Sequence, residues 1–424
     1  MRKMLLTFLS VSLVAGLAGC APPASADEVR SDEPRQTVDS LPVNELAELV
    51  DGNNTFAFDM HRQIRNGSDN LFFSPYSISM ALAMTYAGAR DETAHEMAGA
   101  MQFYLPNNSL HPAFNYLDQQ LASRGKGAQG KDGEGFRLNV VNAIWGQKGY
   151  GFRSEYLDVL ARNYGAGLRI LDFEKQPEPS RVTINDWVEE QTESRIKDLI
   201  PQGAIDSLTR LVLTNAVYFN AAWQSQFEES ATSPGTFHLI GGNDVTVPMM
   251  RQTASFGYGE GDGYQVVELP YDGGELSMVV LLPAEGQFAA FEDSIDNEAL
   301  MDVLDRLQWT RLDLTMPKFK METSFSLNDA LDALGMVRAF DPERADFSGM
   351  DGTRSLYITD VVHKAFVEVD EAGTEAAAAT AVIVGTTSMP ADPIAVTIDR
   401  PFLFLIRDIE TGTVLFLGRV MNPA

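Results

Sequence analysis

The 424-residue sequence predicts an α+β domain built on large, mainly antiparallel sheets, on three observations. Apolar periods of two and of 3.6 residues replace one another along the chain without settling into a regular βαβ alternation. With 45% hydrophobic and 21% charged residues, the chain has enough apolar material for a sizeable core. No second linker, repeat or membrane-length apolar run follows residue 43, which leaves one domain over 44–424.

Residues 1–20, MRKMLLTFLSVSLVAGLAGC, read as an address: a basic start, an apolar run too short to span a bilayer, and small residues before a cysteine. Leu17-Ala18-Gly19-Cys20 resembles a bacterial lipobox, which implies export, diacylation of Cys20 and cleavage before it. An ordinary secretory signal with an incidental cysteine is the alternative reading. Two or three acyl chains would anchor firmly, at about 0.8 kcal/mol per buried methylene. Ala21 after the cysteine favours the outer membrane where the cell has one; a periplasmic or cell-surface place is expected. Residues 21–43 are rich in Pro, Ser and acid and read as a flexible tether.

Within the domain, 55–65 has a helical period, and 75–89 is a second helix, almost wholly apolar, with Ser74 as cap and Pro75 in its first turn. That helix should be buried on all sides. A third follows, capped by Asp91. Strand patterns occupy 137–147, 210–220, 264–283, 311–318 and 355–370, and further helices fall near 154–163, 181–198 and 326–334.

The formal charge is −27, and without residues 1–20, which hold Arg2 and Lys3 and no acid, 30 basic against 59 acidic groups leave −29. Such a surface repels phosphate backbones and anionic headgroups, so no nucleic-acid partner is expected and membrane contact only through the anchor. Solubility is the plain reading of so much acid. Cys20 is the one cysteine, so the folded domain has no disulfide, thiol nucleophile or thiolate metal site.

Catalytic chemistry is absent from the pattern. Of the 5 histidines, His95-Glu96 lacks the second histidine of a zinc-protease helix. No nucleophile elbow, phosphate-gripping loop, dinucleotide fingerprint or calcium loop occurs. The glycine-rich stretch 122–135 reads as a surface loop, and the 17 methionines as core filler. Neither a catalytic residue nor a metal or cofactor site is expected.

EAGTEAAAATAVIVGTTSMPADP, residues 371–393, is a long, small, nearly uncharged stretch close to the C-terminus. From Thr374 the residues Thr374, Ala376, Ala378, Thr380, Val382 and Val384 would share one face of a strand, small and then β-branched, with Glu375 on the other. No proline lies between Gly373 and Met389, and no charge on that face, either of which would obstruct insertion into a sheet. Taken alone, AAAAT also suits a helical turn or a linker.

Together, NLFFSPYSISMALAMTYAGARDETAHEMAGAM (70–101), LVLTNAVYFNAAWQSQFEESATSPGTFHL (211–239), VPMM (247–250), VELPY (267–271), MPKFKMETSFSLNDALDALGM (316–336), HKAFVEVDEAGTEAAAATA (363–381) and RPFLFLIRDIETGTVLFLGRVMNP (400–423) resemble a serpin, in family order and spacing. The resemblance implies three sheets, eight or nine helices and an exposed reactive-centre loop over 371–393 that baits a protease. It places the hinge at Glu371, Ala372, Gly373, Thr374, Glu375, Ala376, Ala377, Ala378, Ala379 and Thr380. It also places Ser74, Ser77, Asn215 and His363 in a polar gate beneath the main sheet, and Trp223 where the loop first enters. Counting fourteen residues on from Gly373 puts the cut at Thr387-Ser388, with Met389 as the near alternative. Counting back from Pro401-Phe402 gives Pro390-Ala391 instead, a loop three residues longer than usual. Small residues before the cut imply an elastase-like or subtilisin-like serine protease, with a cysteine protease as a further target and the inhibitor a monomer. A non-inhibitory carrier or chaperone on the same scaffold is the rival implication.

Overall fold

The computed structural model describes residues 26–126, 128, 136–374 and 392–424. Its main sheet has seven strands in the order β1 (Asp27–Val29), β4 (Leu168–Leu171), β3 (Arg137–Gln147), β5 (Leu211–Ala222), β13 (Gly373–Thr374), β12 (Ile358–Val369) and β11 (Phe319–Ser326). All of β5 is buried except Asn220, because both faces of the sheet are covered. Leu211, Leu213, Val217 and Phe219 join the larger core. Val212 and Ala216 point the other way, into a second cluster with Trp145, Ile184 and Val188. The period of two along the strand thus serves two cores.

Ile184 and Val188 belong to helix α6 (Pro177–Gln191), which crosses the outer face. Under the inner face lies α2 (Pro75–Tyr86), buried from Pro75 to Thr85, as its unbroken apolar run requires. Ser74 caps it by accepting the Ser77 amide, and Pro75 takes the first turn, where no donor is missed.

The second sheet has nine strands: β14 (Ile394–Thr397), β10 (Gln308–Pro317), β7 (Asp244–Gly261), β8 (Tyr264–Pro270), β9 (Leu276–Pro283), β15 (Phe402–Asp408), β16 (Val414–Val420) and β2 (Leu71–Phe73), with β6 (Ser233–His238) paired to β7. The three expected sheets appear as two hydrogen-bonded networks, because the 18-residue β7 pairs with β6 at its start and with β8 at its end. The run 264–283 is two strands, folded back where Gly273 and Gly274 supply positive φ.

Ten α-helices occur among the described residues, against eight or nine expected. Besides α2 and α6 they are α1 (Val43–Ile64), α3 (Asp91–Ala100), α4 (Asn107–Ser123), α5 (Ser154–Tyr164), α7 (Phe288–Ser294), α8 (Asn297–Leu304), α9 (Asn328–Ala333) and the single turn α10 (Ser348–Asp351). Helix α1 starts well before residue 55. The stretch Gly52-Asn53-Asn54 looks like a break, but it is buried, with Asn53 and Asn54 donating to the carbonyls of Val414 and Gly412. Asp91 is the first residue of α3 rather than a side-chain cap.

The described part of the expected tether is no tether. Residues 27–29 add a strand to the edge of the main sheet, pairing Asp27 with Ile170 and Val29 with Leu168. Beyond them, Arg35 reaches Asn115 at 2.8 Å and Asp118 at 2.5 Å. Backbone pairing needs no apolar side chain, so composition alone misreads the segment.

Candidate functional site

Two neighbouring strands of the main sheet, β5 and β12, are paired directly and in parallel over Leu211–Tyr218 and Ile358–Phe366. Past that point they part. Between them sits β13, antiparallel to both, with Thr374 opposite Ala221 on one side and Val369 on the other. The sheet is a seam closed along most of its length and wedged open at one end.

The wedge is built by a reverse turn after β12. The Asp370 carboxylate accepts the amides of Ala372 and Gly373 at 2.9 and 3.2 Å, and the Asp370 amide donates to the Gly373 carbonyl at 2.9 Å. At Gly373 a Cβ would lie 2.1 Å from the Ala221 carbonyl oxygen, so only glycine fits against β5. Trp223 holds the turn from outside the sheet: its indole N–H donates to the Asp370 carbonyl at 3.0 Å and its amide to the Ala372 carbonyl at 2.9 Å. Tyr271 stacks on Trp223, with ring centroids 4.7 Å apart, and its hydroxyl meets Thr374 Oγ1 at 2.7 Å. Thr374 is fully buried there.

Glu371 fastens the same turn sideways. Its carboxylate takes the Lys318 ammonium at 2.6 Å and the Thr232 hydroxyl at 2.7 Å. Burial opposes the charge, yet the Lys318 and Thr232 bonds outweigh it and hold the carboxyl below its ordinary range. The hinge is therefore not exposed from its first residue: Glu371, Ala372, Gly373 and Thr374 are buried. Glu375, Ala376, Ala377, Ala378, Ala379 and Thr380 fall outside the described residues, as do Thr387, Ser388, Met389 and Cys20.

Six residues down the seam from the wedge, one row crosses three strands: Asn142 of β3, Asn215 of β5 and His363 of β12. His363 Nε2 accepts the Ser74 amide at 3.3 Å, which leaves Nδ1 to donate to Asn215 Oδ1. The ring is thus neutral, and burial lowers its pKa to about 3. Asn215 Nδ2 donates to Ser77 Oγ at 2.5 Å and to Asn142 Oδ1. Ser74 Oγ donates to the Leu415 carbonyl at 2.7 Å. Every member of the cluster is paired, and the bond between His363 and Asn215 is its side-chain bond across the seam, added to the backbone ladder.

Ser74, Ser77, Asn215 and His363 are thus brought together, and Trp223 stands apart at the open end. Asn142 was missed. Its signal in RLNVVNAIWGQ is an amide on the same strand face as Val140 and Ile144, where an apolar residue belongs. Among the described residues no group of three His, Cys, Asp or Glu side chains is placed to hold a metal.

The sequence pattern of the family described as Serpin (serine protease inhibitor) matches residues 51–423. The chain belongs to the serpin family. It is 40% identical to an uncharacterized serpin-like protein of Thermococcus kodakarensis, across 99% of this chain and 98% of that one. The leukocyte elastase inhibitor of Homo sapiens is 38% identical across 89% of this chain and 100% of its own. Among solved structures, the thermophilic serpin tengpin in its native state is 26% identical, with a TM-score of 0.81 over 94% of this serpin and 99% of tengpin. Uncleaved ovalbumin gives a TM-score of 0.78 over 89% and 100%, also at 26% identity. The expected serpin fold is the fold observed.

Proposed function

We propose that this serpin is a suicide-substrate inhibitor of a serine protease with an elastase-like or subtilisin-like pocket. One observation carries the reading: Gly373 and Thr374 stand in the sheet, in a register that would carry the residues after them down the seam. Thr374 opposes both Ala221 and Val369. Each further residue of the loop moves one step along both neighbours, so Ala378 meets Val217 and Ala365, and Thr380 meets Asn215 and His363. Those two couples are themselves paired across the closed seam. Thr374 points to the core, so the residues that follow it inward are Ala376, Ala378, Thr380, Val382 and Val384, all small or β-branched.

The protease serine attacks the carbonyl of Thr387, forming an ester and releasing the amine of Ser388. Freed at that point, the loop zips between β5 and β12. From Ala222 to Leu211 is eleven residue steps, about 36 Å at 3.3 Å each, and the ester-linked protease is dragged that far. Displacement of about 1 Å in an active site already costs about 100-fold in rate, so the ester outlives the distortion. Val384, Gly385, Thr386 and Thr387 suit a shallow apolar pocket and not one holding an acid for Lys or Arg. The name of the human relative, an inhibitor of leukocyte elastase, agrees with that class.

Incubation with pancreatic elastase or subtilisin, followed by denaturing electrophoresis, tests the proposal. An inhibitor leaves a band at the summed masses. A chain merely nicked is a carrier or a substrate, and the proposal fails.

A further inference from the structure

We infer that residues 26–36 are a strap that seats this serpin on a lipid bilayer by the end of the main sheet remote from the hinge, so that the bait end points outward. The inference rests on Cys20 as an acylated first residue and is independent of protease trapping.

The register places the strap. Asp27 pairs with Ile170, Ile170 with Gly146, and Gly146 with Leu211, the first residue of β5. The hinge lies at the other end of β5, beside Ala221 and Ala222. Strand β1 is antiparallel to β4 and runs toward the hinge end, with Val29 opposite Leu168. Ala26, the first described residue, therefore lies at the remote end.

The strap is fastened well beyond its three-residue strand. Ser31 Oγ donates to Asp158 at 2.5 Å, and the Gln36 amide donates to the Arg162 carbonyl at 2.8 Å. The Gln36 carbonyl in turn accepts Asn115 Nδ2 at 2.8 Å and Gln119 Nε2 at 2.9 Å. Together with the two Arg35 contacts, these bonds tie the segment to both α4 and α5.

Contour length does the rest. Six residue steps separate Cys20 from Ala26, a reach of at most about 21 Å. Were residues 20–43 a free leash, the reach would be about 80 Å, and the body would tumble without preference. The remote end also carries Leu208, 64% exposed, in the turn that leads into β5. Arg210 and Lys148 flank it, the Arg210 carbonyl accepting the Gln147 amide at 2.9 Å. Leu208 and the two basic side chains suit the bilayer interface, and Asp27, Asp172 and Asp206 at the same end favour a zwitterionic over an anionic surface.

The test uses the full acylated chain in phosphatidylcholine vesicles that carry an acceptor dye on their headgroups. Single donors are placed at Leu208→Cys, at the remote end, or at Ser230→Cys, next to the Thr232 contact of the hinge. Transfer at least threefold stronger from position 208 than from 230 is expected, and insertion of twenty Gly/Ser residues between Ser25 and Ala26 should abolish the difference. Equal transfer from the two positions in the parent chain overturns the inference, and so does stronger transfer from 230. Failure to bind vesicles, with a mass showing Cys20 unmodified, also overturns it. Subtilisin trapping is scored on the same samples, so a failed orientation and a failed inhibitor are told apart.

Discussion

Replacing Thr380 by valine removes the hydroxyl that the proposed insertion would bring to the gate. Among the described residues the row Asn142, Asn215 and His363 is hydrogen-bonded within itself and to Ser74 and Ser77. Insertion parts Asn215 from His363, and the register delivers Thr380 between them, facing the same core. Its hydroxyl, both donor and acceptor, is the one inserted group able to replace the lost bond. Without it one or both of the buried partners go unpaired, at about 1–3 kcal/mol each. Valine fills nearly the same volume, so no cavity adds to that figure. The assay is guanidinium unfolding of two preparations of each variant, intact and cut within the bait loop. The intact forms should agree within about 0.5 kcal/mol. Cut Thr380→Val should lose about 1–3 kcal/mol against the cut parent, and cut Thr380→Ser should keep most of it. If cut Thr380→Val is as stable as the cut parent, or if Thr380→Ser loses as much as valine does, the register of insertion is wrong.

Three further outcomes follow from the wedge and the gate. Thr374→Arg puts an unpaired cation at the fully buried partner of Tyr271, so the wedge is expelled and the inhibitor becomes a substrate; complex yield on electrophoresis should fall at least tenfold while cut chain accumulates, and unchanged stoichiometry would refute it. Lys318→Met strands the Glu371 carboxylate with Thr232 alone, so amide exchange at Ala372 and Gly373 should quicken while that at Asn215 stays protected, whereas equal protection at all three would show that the ion pair does not hold the turn. The buried His363 ring has its pKa lowered from 6.5 to about 3, so the unfolded chain takes up a proton first as pH falls below 6.5. Its contribution is fully present above that pH and is lost on the order of 1 kcal/mol per pH unit below it, so a His363→Gln variant should show a flatter stability profile between pH 6.5 and 4.

Periodicity made the regular parts legible. The strand expected at 137–147 is Arg137–Gln147, and the helix expected near 154–163 is Ser154–Tyr164, because each buries one face and repeats with the period of its geometry. Misreadings fall where order comes from hydrogen bonds and not from an apolar period. Helix α6 stops at Gln191 rather than near 198, where the Thr192 hydroxyl bonds the Val188 carbonyl and takes the Ile196 amide, closing the helix with a side chain. Residues 27–36 carry little apolar surface, yet they are ordered by a sheet edge and by Arg35, neither of which composition reports.

The hinge shows the deeper reason. Its small residues and its alternation say that it is able to enter a sheet, which is a property of the segment. How far it has entered is a balance between elements distant in sequence: Tyr271 and Trp223 hold Thr374 and its turn inside, Lys318 and Thr232 pin Glu371, and the bond from His363 to Asn215 keeps the seam shut six residues below. A stronger gate with the same wedge would stop the loop at Thr374 even after a cut, and a weaker one would let it run in uncut. On the proposed mechanism, inhibition requires the side-chain bond that spans the seam at the gate to be replaceable rather than merely strong, and a threonine at 380 would supply the replacement when the loop inserts.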